Sequence, residues 1–223
     1  MPMPFRKWRY IYPPRPQTAI PYEDSAGYRG GEWKAQLKLN GTRNLIVFKP
    51  DGGIEFYNRH AARHKAWTAP DWMVAEIRKQ FRVEKGKWSI IDSELLHSKH
   101  ASVKDTLYVF DILVLNSRYL VKTSYEDRFA MLAKVSGQPT AEVAGFGGMV
   151  REIGCGLWMA TVIDEPEWDA AWALSERIVG MENPIIEGLV FKRTKALLDF
   201  GHSAVNNGSW MVRCRRESKL FRF

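Results

Sequence analysis

Residues 32–57 read EWKAQLKLNGTRNLIVFKPDGGIEFY. Three short apolar-rich runs, Glu32–Leu39, Arg43–Lys49 and Ile54–Tyr57, are separated by Asn40-Gly41-Thr42 and by Pro50-Asp51-Gly52-Gly53. Proline presets φ and glycine reaches positive φ, so the second break predicts a hairpin. The stretch therefore opens a β-sheet. Period-two alternation puts Gln36, Lys38 and Asn40 on one face of the first run. A lysine there, followed by a glycine and by Arg43, allows two readings. One is a solvent-facing strand and turn; the other is a nucleophile whose pKa neighbouring cations depress.

Beyond this stretch, Asp71–Phe81 predicts a helix with Met73, Ile77 and Phe81 on one face. Strands are expected at Trp88–Leu96 and Thr106–Leu115. Ser124-Tyr125-Glu126-Asp127 reads as a capping box opening a helix that carries Tyr125, Phe129 and Leu132. A strand fits Leu157–Ile163, followed by a helix capped by Asp164, lined by Trp168, Ala171, Trp172 and Val179 and stopped by Gly180. Ile185–Arg193 and Ser209–Arg215 complete about eight strands and three helices. They do not alternate regularly, which predicts an α+β fold with largely antiparallel sheets. Residues 1–21 hold six of the eleven prolines with Arg6, Lys7, Arg9 and Arg15, and predict a basic arm, extended or disordered. No linker divides residues 22–223, so a single domain is expected there. The nine tryptophans are expected mostly in the core.

Composition narrows the function. In 223 residues, 45% apolar and 26% charged, there is no disordered, collagen-like or coiled-coil signature. No run of 18 uncharged apolar residues suggests a membrane span, and MPMPFRKWRY has no apolar core of a secretory signal. Cys155 and Cys214 lack zinc spacing, so a reduced, cytoplasmic setting is expected. A net charge of +8 favours a polyanion such as nucleic acid, or else a basic, solvated surface.

Four further strings follow Lys38-Leu39-Asn40-Gly41 in order. They are Asp92-Ser93-Glu94, Phe110-Asp111-Ile112-Leu113, Glu187-Gly188-Leu189-Val190-Phe191-Lys192 and Arg213-Cys214-Arg215. Across roughly residues 30–216 the set resembles the covalent nucleotidyltransferases: ATP-dependent DNA ligases, RNA ligases and capping enzymes. The stretch YVFDILVLN at Tyr108–Asn116 looks especially like DNA ligases. The resemblance implies an adenylation domain using ATP and Mg²⁺, in which Lys38 attacks the α-phosphate and becomes lysyl-AMP. It implies that Phe110 stacks on adenine, Gln36 meets the base edge, Glu94 and Arg43 meet the ribose, and Glu187 holds the metal. Lys192, Arg213 and Arg215 would grip phosphates and depress the pKa of Lys38. Nucleic-acid contacts are expected from Arg43, Arg59, His60, Arg63, Lys65 and Arg216.

One requirement is geometric. Glu187 and Lys192 are five residues apart and would face opposite sides of a regular strand, so the pattern needs a break at Gly188. Asn40 stands where DNA ligases usually have Asp, and Arg213 and Arg215 stand where lysines are usual. The chain ends eight residues after Arg215, so no OB-fold domain is expected. The expectation is a minimal, monomeric DNA ligase that seals 5′-phosphate/3′-hydroxyl nicks in repair or replication, a form suited to a virus or phage genome. Asn40, and Cys214 between two basic residues, keep open an RNA ligase or relaxed sugar selectivity. The non-enzymatic alternative is a nucleic-acid-binding module.

Overall fold

The computed structural model describes residues 3–4, 9–99, 103–176 and 185–216. In chain order the first strands are β1 (Met3–Pro4), β2 (Arg15–Ile20), β3 (Trp33–Leu39), β4 (Thr42–Phe48) and β5 (Ile54–Asn58). Helix α1 (Asp71–Gln80) precedes β6 (Ser89–Leu96), β7 (Thr106–Leu115) and β8 (Arg118–Tyr119). Helix α2 (Tyr125–Val135) precedes β9 (Ala141–Glu142), β10 (Val150–Gly154) and β11 (Leu157–Ala160). Helix α3 (Trp168–Glu176), β12 (Ile186–Arg193) and β13 (Asn207–Arg215) end the described elements.

These strands form two sheets, as expected for α+β. The larger runs β5-β4-β6-β7-β11-β10-β9, with β8 on β7 and β1 on β8; the smaller runs β2-β13-β12-β3. Pairing is antiparallel except for β7 with β11 and β2 with β13. The chain passes from one sheet to the other between β3 and β4, at Asn40-Gly41. A Cβ on Gly41 would lie 2.5 Å from the Leu95 carbonyl oxygen and 2.6 Å from Glu94 Cγ, so only glycine fits the crossing. Lys38 is thereby fixed at the mouth between the sheets.

Each sheet buries one face under helices. Met73 and Ile77 of α1 and Leu132 of α2 are fully buried with Leu45, Ile91 and Ile112 of the larger sheet. Trp168 and Ala171 of α3 are fully buried with Leu189 and Phe191 of the smaller one. Each of these leucine, isoleucine, methionine and phenylalanine side chains contributes roughly 1.5–3 kcal/mol by leaving water. Ser124 caps α2 as its spacing predicts, accepting from the Asp127 amide at 3.2 Å.

Several expectations change. Residues 15–20 are extended, but as an edge strand of the smaller sheet, with Ile11 upstream fully buried. Asp164 does not cap its helix, because its carboxylate accepts from Lys34 Nζ at 2.6 Å. A 3-10 turn at Glu165–Glu167 leads into α3, and Val179 and Gly180 lie outside the described residues. The strand expected to reach Ile163 stops at Ala160, and Ile163 makes only a bridge to Ala35. Trp168 is the one tryptophan fully buried among the described residues, while Trp72 is exposed. Most others lie half-buried at the edges of the cores, as suits an indole with a polar N–H. Among the described residues no helix is long and apolar enough to cross a membrane.

Candidate active site

The uncovered faces of the two sheets meet at a cleft of about 510 Å³. Its floor is the smaller sheet. Across that sheet Lys38, Gly188 and Arg215 form one row, and Gln36, Val190 and Arg213 the next. The opposite wall is β4, β6 and β7, which contribute Arg43, Glu94, Tyr108 and Phe110.

Two β-bulges aim the side chains. Against β3, Ile186 pairs with Leu39 and Gly188 with Lys38, so Glu187 is an extra residue. Gly188 has φ +140°, and a Cβ there would sit 2.2 Å from the Cys214 carbonyl oxygen. This is the break that the spacing of Glu187 and Lys192 requires. The Glu187 carboxylate accepts from Lys38 Nζ. Burial pushes the Glu187 carboxyl up, but Lys38, Arg215 and Lys99 together outweigh it and hold the group below the usual range. The second bulge lies in β7, where Asp92 pairs with Asp111 and Ser93 with Val109. Phe110 is the extra residue and turns into the cleft, while Val109 and Asp111 on either side are buried.

Lys192 is 4% exposed and donates from Nζ to Gln36 Oε1 at 2.6 Å. It lies 4.5 Å from the Tyr125 ring centre and 5.1 Å from that of Phe110. Burial among these rings lowers its pKa to about 8, with Asp111 opposing and Arg43 assisting. Since an ammonium can only donate, Gln36 must offer its oxygen, which leaves Nε2 buried without a partner.

Arg43 forms a two-pronged pair with buried Asp92, donates to the Pro14 carbonyl oxygen at 3.0 Å and lies 4.8 Å from the Phe110 ring centre. Asp92 is thus committed to Arg43 and leaves Glu94 as the cleft-facing member of Asp92-Ser93-Glu94. Burial pushes the Glu94 carboxyl up, against the pull of Lys38, Arg43 and Lys99. Behind Phe110, Arg128 grips Asp111 from Nε and Nη2, each at 3.0 Å, with both residues buried.

The nucleic-acid residues named from sequence separate into two groups. Arg59 and His60 line the exposed rim of the cleft, where Asn58 Oδ1 accepts from the His60 amide at 2.8 Å. Arg63 instead pairs with Glu55 at 2.7 Å over the Tyr57 ring, and Arg216 lies over Trp172. Neither these two nor Lys65 lines the cleft. Cys214 faces the core behind the sheet, its thiol pushed up to about 12 by burial. Residues 217–223 of the basic tail lie outside the described residues.

Lys99 carried no sequence signal; it donates to Asn40 Oδ1 at 3.1 Å and to the Gly41 carbonyl oxygen at 2.5 Å, while Arg15 of the expected basic arm enters from β2. Arg128 was legible in principle, since it shares a helix face with Tyr125 and Leu132. Among the described residues no cluster of three His, Cys, Asp or Glu side chains could hold a metal alone.

No protein-family model and no curated protein matches this chain. Solved structures do. The mycobacterial DNA ligase D complexed with ATP and MES is 16% identical with TM-score 0.53, covering 84% of this chain and 55% of its own. The ligase domain of M. tuberculosis LigD is 18% identical with TM-score 0.53, covering 88% and 57%. Pmar-Lig_Pre is 13% identical with TM-score 0.56, covering 92% and 47%. The chain thus spans little more than half the length of the first two. With its two sheets around a lysine-bearing cleft, it has the fold of the nucleotidyltransferase domain of ATP-dependent polynucleotide ligases.

Proposed function

We propose that this chain catalyses ATP-dependent polynucleotide ligation, with DNA preferred, through a lysyl-AMP at Lys38. The observation that carries this reading is the pairing of bulged Glu187 with Lys38, which lines a cleft together with Gln36, Glu94, Phe110, Lys192 and Arg213. A binding surface has no use for a carboxylate set against a lysine by a strained glycine.

The chemistry runs in three transfers. Neutral Lys38 Nζ attacks the α-phosphorus of ATP; a P–N bond forms, the P–O bond to pyrophosphate breaks and the nitrogen gives up a proton to water. An oxygen of the nick's 5′-phosphate then takes the adenylyl group, and Lys38 leaves with a proton. The 3′-hydroxyl loses its proton, attacks the activated 5′-phosphorus and releases AMP. Seven Lys and Arg side chains line the cleft against two carboxylates, a field that stabilises charge on the transferring phosphoryl group. Phe110 offers a stacking face to the base, and the unpartnered Gln36 Nε2 offers a donor to its edge. Glu94 lies where it can accept from ribose hydroxyls.

Glu187 suits Mg²⁺, which binds one or two carboxylates and keeps substrate oxygens and waters for the rest. The metal would neutralise charge on the phosphoryl oxygens. The Glu187 carboxylate, held below the usual range and set against Lys38, fits this donor set.

DNA preference rests on Phe110–Asn116, Asp92-Ser93-Glu94 and Arg43. RNA ligation is the second reading, and Asn40, bound by Lys99, favours it over a site with Asp. Sealing of nicked all-DNA, all-RNA and hybrid duplexes with ATP tests the proposal. Sealing of DNA above the others supports it, and sealing of RNA alone selects the second reading. Salt-dependent duplex binding with no sealing and no ATP chemistry would favour a binding module.

A further inference from the structure

We propose that residues 13–16, Pro-Pro-Arg-Pro, form a rigid strap that places Arg15 against the phosphodiester backbone of the nucleic-acid substrate. The proposal deepens the ligase reading and rests on it.

The strap is pinned along its length. Tyr10 Oη donates to the Asn58 carbonyl oxygen at 2.7 Å, and the Tyr12 amide donates to the Gly201 carbonyl oxygen at 3.1 Å. Asn206 Nδ2 donates to the Tyr12 carbonyl oxygen at 2.9 Å, and Arg43 Nη2 to that of Pro14 at 3.0 Å. Pro13 and Pro14 are buried, and prolines have little backbone freedom left to lose on binding. Arg15 is therefore presented on a preorganised support. Its Nε donates to Asn207 Oδ1 at 2.7 Å, which holds one edge of the guanidinium and leaves the Nη groups to a ligand.

Charge and position identify that ligand. Arg15 lines the cleft with Arg213 of the adjoining strand, and its charge helps to pull the Arg213 pKa down, after burial and Arg215. Two guanidiniums lining one cleft favour an anionic ligand there. Lys38 and Arg15 lie on opposite edge strands of the four-stranded sheet, three strand spacings or roughly 14 Å apart in the direction across the strands alone. Arg15 also pairs with Asn207 at the start of β13, whereas Lys38 shares a row with Arg215 at its end. Arg15 thus stands away from the reacting phosphate and on the side of the strap. Exposed Arg59 and His60, which follow the Asn58 that anchors Tyr10, also line this cleft. A strand backbone crossing the rim meets all three.

The test compares wild type, Arg15→Gln and Arg15→Lys for binding of a nicked DNA duplex across a salt series. The same proteins are assayed for label acquired from α-labelled ATP. Arg15→Gln should bind the nick about tenfold more weakly near 0.1 M salt, with a log–log salt slope shallower by about 0.9. Arg15→Lys should recover most of the binding. A defect in label acquisition with nick binding intact would overturn the proposal and assign Arg15 to the triphosphate. Unchanged binding and slope, with wild-type melting, would overturn it in favour of a solvated arginine. Failure of the ligase reading shows separately, as absence of label on the wild type.

Discussion

Glu187 stands in a bulge of β12 directly beside Lys38, and its carboxylate accepts a hydrogen bond from the lysine's Nζ. Without the extra residue, the carboxylate would point into the second core, where Leu189 and Phe191 lie. The site therefore depends on the backbone of Gly188 as much as on any charged group.

Gly188→Ala should disrupt that backbone. The new Cβ would meet the Cys214 carbonyl oxygen at 2.2 Å, in a conformation that L-residues rarely adopt. A loss of about 2–4 kcal/mol is expected, seen as a melting temperature roughly 5–15 °C lower. Label acquisition from ATP should fall further than unfolding explains, because Glu187 loses its place.

Phe110 and Tyr108 should respond oppositely to truncation. Phe110→Ala removes a half-buried ring from the cleft, so KM for ATP should rise about tenfold with melting nearly unchanged. Tyr108, 2% exposed, belongs to the core, and Tyr108→Ala should cost about 3–5 kcal/mol in a denaturant titration.

The Arg128–Asp111 pair is fully desolvated, so breaking it on one side strands a buried charge. Arg128→Met should lower stability by about 3–5 kcal/mol, and the double variant with Asp111→Leu should regain most of it. Urea unfolding of the four proteins closes the cycle.

Lys192 makes stability depend on pH in a definite direction. Its folded pKa is lowered to about 8 from 10.5, so between these values the unfolded chain binds the extra proton. Stability must therefore rise with pH across that window; the penalty is full below pH 8 and fades above it. Relative to Lys192→Met, wild type should gain about 2 kcal/mol from pH 7 to 9.5 in urea unfolding. Equal pH slopes for the two proteins would contradict the burial of this ammonium.

Legibility followed the range of the interactions. The hairpin at Pro50–Gly53 and the Ser124 cap are local, and both formed where their residues demanded. The bulge at Glu187 was legible because the family resemblance requires two side chains five residues apart to share a face. Strand β2 was hidden by its prolines, which an edge strand tolerates, and β10 by a short, glycine-flanked run. Asp164 was lost as a cap to Lys34, 130 residues away, a contact no local pattern encodes. Lys99 and Arg15 reach the cleft for the same reason: tertiary packing brings them there.

The most direct test is covalent. Purified protein is incubated with Mg²⁺ and α-labelled ATP, denatured, and read beside Lys38→Ala, with intact mass reporting any AMP already attached. The account predicts label on wild type, its removal by pyrophosphate, and none on Lys38→Ala. Wild-type protein carrying neither label nor pre-bound AMP would contradict it.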